Sequence, residues 1–247
     1  MPTLKQALED LRETRLVADT ETYGPARTQS CREMLRRDAQ RRLPECRKTF
    51  FEEFRKVGFP VFVQGPGTEK FVELAAEQTE VLTTDYRTAT HEMKSMVRGS
   101  ISRSREFTPH HFTVMVRGCR QLAVDIGLDS IPQPEFNQIE VVPTDADVDA
   151  VVDRYLLKYL GSDFLAAVIE RQVLTVAEGL STDSPVVPVL ILGVPESIIE
   201  AVGPRILCRK FLSVEVPADV NADFVTDSFK KIRNTLKKKK TDSQQQQ

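Results

Sequence analysis

The chain has 247 residues, a net charge of −2, 40% apolar and 28% charged residues, a composition that excludes a disordered, fibrous or collagen-like protein. Its longest apolar run, VVPVLILGV at 186–194, is interrupted by Pro188 and falls far short of the ~20 residues a membrane helix needs. The opening MPTLKQALEDL carries acids and no continuous apolar core, so neither a secretory signal nor a typical transit peptide is expected, and the cytoplasm is the expected compartment.

From the N-terminus, Thr3 with Gln6 has the spacing of a capping box, and Leu4, Ala7, Leu8 and Leu11 form a stripe, which predicts a helix from 3 to about 18. Pro25 is placed to open a second helix, with Cys31, Met34, Leu35 and Ala39 facing in and Arg32, Arg36, Arg37, Arg41 and Arg42 mostly facing out. Pro44 should break or kink it. A third segment carrying Phe50, Phe51, Phe54 and Val57 should end at Gly58 as a left-handed cap. VFVQ at 61–64 reads as a strand ended by the turn GPGT, and Thr68 as the cap of the next helix, whose end is blurred by the threonines from Thr79 to Thr90.

Residues 95–120, SMVRGSISRSREFTPHHFTVMVRGCR, contain MVRG twice in different contexts. The first copy is expected to end a helix before a serine- and arginine-rich loop. The second lies inside a helix begun by Thr108 and Pro109, with Phe112, Met115, Val116, Cys119, Leu122, Ala123 and Ile126 inward. Then NQIEVV at 137–142 reads as a strand, Thr144 as the cap of a helix running to Gly161, and Ser162 as the start of another to about Glu178. PVVPVLIL reads as a buried strand, PESIIEAV as a short helix, LCRKFLSVEV at 207–216 as a strand, and Phe224, Phe229, Ile232 and Leu236 as the inner face of the last helix. The expected fold class is α/β, with mixed α+β as the alternative: a helix-rich region with one short strand over 1–130, an α/β region over 131–240, and a disordered tail over 241–247.

Charge is segregated along the chain. Residues 27–56 hold ten Lys or Arg against five acids, 87–120 hold seven against two, 121–200 hold three against fourteen, and 229–241 hold seven against none. Either the basic segments gather into a patch that steers a partner, or they face the acidic ones. The loop RGSISRSRE before the helix start at His110 and His111 has the parts of an anion site, since free amides and a helix dipole would be joined by Arg98, Arg103 and Arg105. With Arg36, Arg37, Arg41, Arg117, Arg120, Lys237 and Lys238 these are the candidate anion- or nucleic-acid-binding residues. Ser100, Ser102 and Ser104 sit among the arginines, where phosphorylation would cancel positive charge.

Other chemistries lack their parts. Cys31, Cys46, Cys119 and Cys208 form no CxxC pair, so neither zinc nor disulfides are expected. Adjacent residues such as His110 and His111 point roughly 100° apart on a helix, and Asp145, Asp149 and Asp153 read as a solvated helix edge, so no metal is expected. LILGVPES lacks the glycine pattern of a dinucleotide or phosphate loop, and no serine stands in a GxSxG context. No catalytic residue and no cofactor is expected. The resulting reading is a non-catalytic binding or assembly protein contacting a polyanion, nucleic acid being the best-suited class. An α/β enzyme acting on a phosphorylated or carboxylated small molecule through His110, His111, Asp145 and Asp149 is the first alternative, and a self-associating scaffold subunit the second.

Overall fold

The computed structural model describes residues 3–18, 29–125, 135–177, 180, 186–205 and 211–244. The architecture is α/β. A parallel sheet has the order β2-β5-β1-β6, built from β1 (Gly58–Gln64), β2 (Leu82–Asp85), β5 (Val187–Leu192) and β6 (Leu212–Glu215), and a small antiparallel pair joins β3 (Glu106–Phe107) to β4 (Glu140–Val141). Helices α3 (Thr68–Gln78) and α8 (Ala222–Gln244) cover one face of the parallel sheet. On the other face lie α2 (Gln29–Val57), α4 (Tyr86–Ser104), α6 (Val148–Ala177) and α7 (Glu196–Val202), with α1 (Leu4–Ala18) packed on α2 and α5 (Pro109–Asp125) on α4.

Alternation along the strands creates the two layers. Phe59, Val61, Val63 and Leu190 point to α3 and α8, meeting Phe71, Val225, Phe229 and Ile232. Phe62, Val189 and Ile191 point the other way, into a larger cluster with Phe50, Tyr86, Phe164 and Val168. Because β1 lies between β5 and β6, residues 1–130 and 131–240 share one sheet and one core. Proline is tolerated in these inner strands for a positional reason. Pro60 precedes the β6 register, which begins at Val61, and Pro188 precedes the β2 register, which begins at Val189.

Several local expectations hold. The Thr3 N–H donates to Gln6 Oε1 at 2.9 Å and the Gln6 N–H to Thr3 Oγ1 at 3.3 Å, closing the capping box of α1. Gly161, at φ 84° and ψ 170°, divides α6 into two arms.

Others are corrected. Pro44 does not end its helix, since α2 runs unbroken through it and α1 packs alongside. Met34 is 64% exposed rather than inward. Gly58 begins β1 and is not left-handed; positive φ occurs at Gly65, Gly161, Gly193 and Arg105. Gly67, not Thr68, is the N-cap of α3. Asp147 replaces Thr144 as the cap of α6, its carboxylate accepting from the Asp149 N–H at 2.9 Å. The NQIEVV strand is reduced to β4. The serine- and arginine-rich loop is helical: α4 continues to Ser104, and Arg105 closes it in the left-handed region at φ 54°. The last helix continues past Thr241 to Gln244. Pro25, the junction expected between residues 130 and 131, Cys208 and residues 245–247 lie outside the described residues.

Candidate polyanion-binding surface

The carboxyl ends of parallel strands are where α/β sheets usually receive ligands, and here the chain's own loops occupy much of that edge. The Gly67 N–H donates to the Val216 carbonyl and the Val216 N–H to that of Gln64, drawing the loops after β1 and β6 together. Gln64 Nε2 donates to the Val194 carbonyl at 3.0 Å, joining the ends of β1 and β5. Gly193, at φ +70°, lies beneath the Arg87 and Asp85 side chains. Asp85 caps α4 by accepting from the Arg87 N–H at 2.8 Å, and its carboxylate also takes the Arg87 guanidinium. LILGVPES is therefore a tight strand-to-helix turn.

The basic segment meets the acidic edge of α6 at two cations of α4, Lys94 and Arg98. Lys94 Nζ donates to Asp153 Oδ2 at 2.8 Å and the Tyr86 hydroxyl to Oδ1 at 3.0 Å, with Lys94 2% and Asp153 5% exposed. Burial pushes Asp153 above the usual carboxylate range while the Lys94 ammonium opposes it, and burial also pushes up the Tyr86 phenol. One turn earlier on α6, Asp149 accepts from Arg98 Nε at 2.8 Å and forms a second bond to Nη2. Two of the three aspartates on that edge are thus consumed by ion pairs with α4. Arg105 Nη1 donates to the Pro143 carbonyl at 3.3 Å.

His111 is structural. Its N–H donates to Thr108 Oγ1 at 3.3 Å and its Nδ1 accepts the Thr108 N–H at 3.2 Å, a reciprocal cap in which histidine takes the place of the usual glutamate or glutamine. Nε2 lies 2.8 Å from Ser100 Oγ, tying α5 to α4. Burial, then the neighbouring His110, lowers its pKa. His110, Arg103 and Arg117 remain exposed on the hairpin, while the side chain of Arg120 lies outside the described residues. So do those of Lys237 and Lys238, although α8 carries their backbone.

On α2 the outward face holds Met34, Arg37, Asp38, Arg41, Arg42, Glu45 and Lys48. Beyond Pro44 the cations of this face have partners within the helix: Lys48 with Glu45 at 3.8 Å, Arg55 with Glu52 at 4.0 Å, Lys56 with Glu53 at 2.6 Å. Among the described residues no carboxylate lies within ion-pair distance of Arg37, Arg41 or Arg42. Arg36 is half-buried and its Nε has no hydrogen-bond partner. The structure thus splits the candidate residues into an unpaired group on α2, an exposed trio on the α4–α5 hairpin, and Arg98, Arg105 and His111, which are committed to internal bonds. The bonds of Arg98 and Arg105 reach partners 51 and 38 positions away, so no local pattern announces them, whereas the cap made by His111 is local.

Among the described residues no group of three His, Cys, Asp or Glu could hold a metal, and no helix is long and apolar enough to cross a membrane. Cys119 is buried and its thiol pushed up to about 12 by burial, which makes it unreactive. No protein-family model, curated protein or solved structure matches the chain.

Proposed function

We propose that the protein is a non-catalytic binding protein that contacts a polyanion, with nucleic acid the favoured class, through the arginine-bearing outer face of α2. The observation that carries this reading is the set Arg37, Arg41 and Arg42, exposed within two turns of one helix and without an ion-pair partner among the described residues. Arg37 and Arg41 are one turn apart, about 6 Å of rise, close to the spacing of phosphates along a strand. Of the four groups that could have served catalysis instead, His110, His111, Asp145 and Asp149, two, His111 and Asp149, already make the bonds that hold α4 to α5 and α6.

Binding to duplex and single-stranded nucleic acid across a salt series tests the reading. Three phosphate contacts give a log–log slope of about −2.7, a loss of about 40-fold between 50 and 200 mM salt. Arg37→Glu with Arg41→Glu should remove most of the binding without unfolding the chain, because both side chains are exposed. Absence of any salt-sensitive binding by the unaltered protein refutes it.

A further inference from the structure

The outer face of α2 sorts its side chains by position around the helix. Taking Arg37 as the origin and a turn of about 100° per residue, Arg41 stands at about 40°, Met34 at about 60°, Asp38 at about 100° and Arg42 at about 140°. All five are exposed, whereas Ala39 and Leu43, on the opposite side of the helix, are buried. The arginines thus form two margins. The strip between them holds an apolar side chain and a carboxylate, Asp38, that has no cation within ion-pair distance among the described residues. Neither suits a row of phosphates. Both suit base edges, because a carboxylate accepts from the cytosine amino group and an apolar side chain packs on the thymine methyl, and both of those groups stand in the major groove of DNA. The margins have the matching separation: about 120° on a helix about 10–12 Å across sets them roughly 10 Å apart before the guanidinium groups extend, against a groove ~12 Å wide.

Given the polyanion reading of the same arginines, on which this rests, we infer that the ligand of the α2 face is double-stranded DNA and that the face reads its major groove. Arg37 and Arg41 take phosphates of one strand, Arg42 takes those of the other, and Asp38 accepts from a cytosine amino group between them. Met34, one turn before Asp38, packs against an adjoining base edge. Other nucleic acids fit less well. A single strand offers one row of phosphates and bases that need an aromatic platform, and the aromatic residues of α2, Phe50, Phe51 and Phe54, are no more than 1% exposed. The major groove of an RNA duplex is too deep and narrow for side chains to read. The arginines therefore set affinity and register, while Asp38 sets a preference for a C·G pair at one position. Its carboxylate is repelled by the phosphates on either side, so it lowers affinity for duplexes that lack the cytosine.

Fluorescence anisotropy of the whole chain with a labelled DNA duplex of mixed sequence, its separated strands and an RNA duplex of equal length tests the geometry. At ~0.1 M salt the DNA duplex should be bound about 8-fold more tightly than either competitor, the factor that one phosphate contact supplies there. Arg37→Ala and Arg42→Ala should each flatten the log–log salt slope by about 0.9. From a pool of duplexes with randomised cores, the unaltered protein should enrich a C·G pair at one position by about 5-fold or more. Asp38→Ala should erase that enrichment while binding the unselected pool at least as tightly. These side chains are all exposed, so the variants should keep the melting temperature of the unaltered chain. Equal affinity for the three nucleic acids, an unchanged slope in Arg42→Ala, or an enrichment that is absent or survives in Asp38→Ala overturns the major-groove geometry and leaves the polyanion reading in place. Binding to none of the three removes both.

Discussion

Lys94→Met separates the energetic role of the buried Tyr86–Asp153–Lys94 group from its appearance. The ammonium lies 2.8 Å from Asp153 Oδ2 and both side chains are almost fully enclosed between α4 and α6. Removing one partner leaves Asp153 with only the Tyr86 hydroxyl, and breaking a buried pair in this way costs about 3–5 kcal/mol, a large part of the ~5–15 kcal/mol that holds a typical domain together. The loss should depend on pH. Burial already raises Asp153 and the ammonium opposes that rise, so the variant raises it further. A carboxyl whose folded pKa exceeds its unfolded value makes stability fall as pH rises between the two, so the deficit of Lys94→Met relative to the unaltered chain should widen from about pH 4 to about pH 8. Urea unfolding at both pH values measures it. The triple variant Lys94→Met, Asp153→Leu, Tyr86→Phe, which removes every polar group of the set, should recover most of the loss. A single variant within about 1 kcal/mol of the unaltered protein at pH 8, or a triple variant no better than the single, refutes the reasoning.

Gly67→Ala should be far more damaging than Gly161→Ala. A Cβ at Gly67 would lie 2.0 Å from the Pro217 carbonyl oxygen, and at Gly161 it meets nothing within 4 Å, leaving only the strain of φ 84° with ψ 170°, about 1–3 kcal/mol; thermal unfolding of both variants checks the order. Thr108→Ala should cost about 1 kcal/mol through loss of the α5 cap, read by chemical denaturation. In an NMR titration His111 should deprotonate at lower pH than an ordinary histidine. Its neutral form is favoured in the fold, so its contribution is present above the unfolded-state value near 6.5 and is lost as pH falls through the folded one. Tyr155→Phe should let the Glu140 carboxyl titrate higher, because the Tyr155 hydroxyl is the first cause of its depression.

What the sequence made legible was local. Thr3 with Gln6 and Thr108 with Pro109 are short-range signals, and the caps they foretell are present. Gly161 broke the apolar rhythm of α6 where the helix breaks. The two ends of α4 were hidden because Thr88, Thr90 and the serines lower helical propensity, yet burial decides: Thr90 is fully enclosed and its hydroxyl donates to the Tyr86 carbonyl at 3.2 Å. Pro44 misled for the same reason, since packing against α1 supports a helix that propensity alone would end. The candidate surface was half legible. Composition located the arginines, but whether a cation is free depends on partners such as Asp149, which lies 51 positions from Arg98.

The place of β1 at the centre of the parallel sheet also has a consequence during synthesis. Its end at Gln64 and the Val194 carbonyl that it meets are 130 residues apart, an interval of roughly ten seconds on the ribosome. For that time Phe59, Val61, Phe62 and Val63 emerge without either flanking strand, as a β-prone apolar segment open to holdase chaperones or to the same segment of another nascent chain. Expression yield should therefore respond to translation speed and chaperone supply more strongly than the stability of the finished protein would suggest.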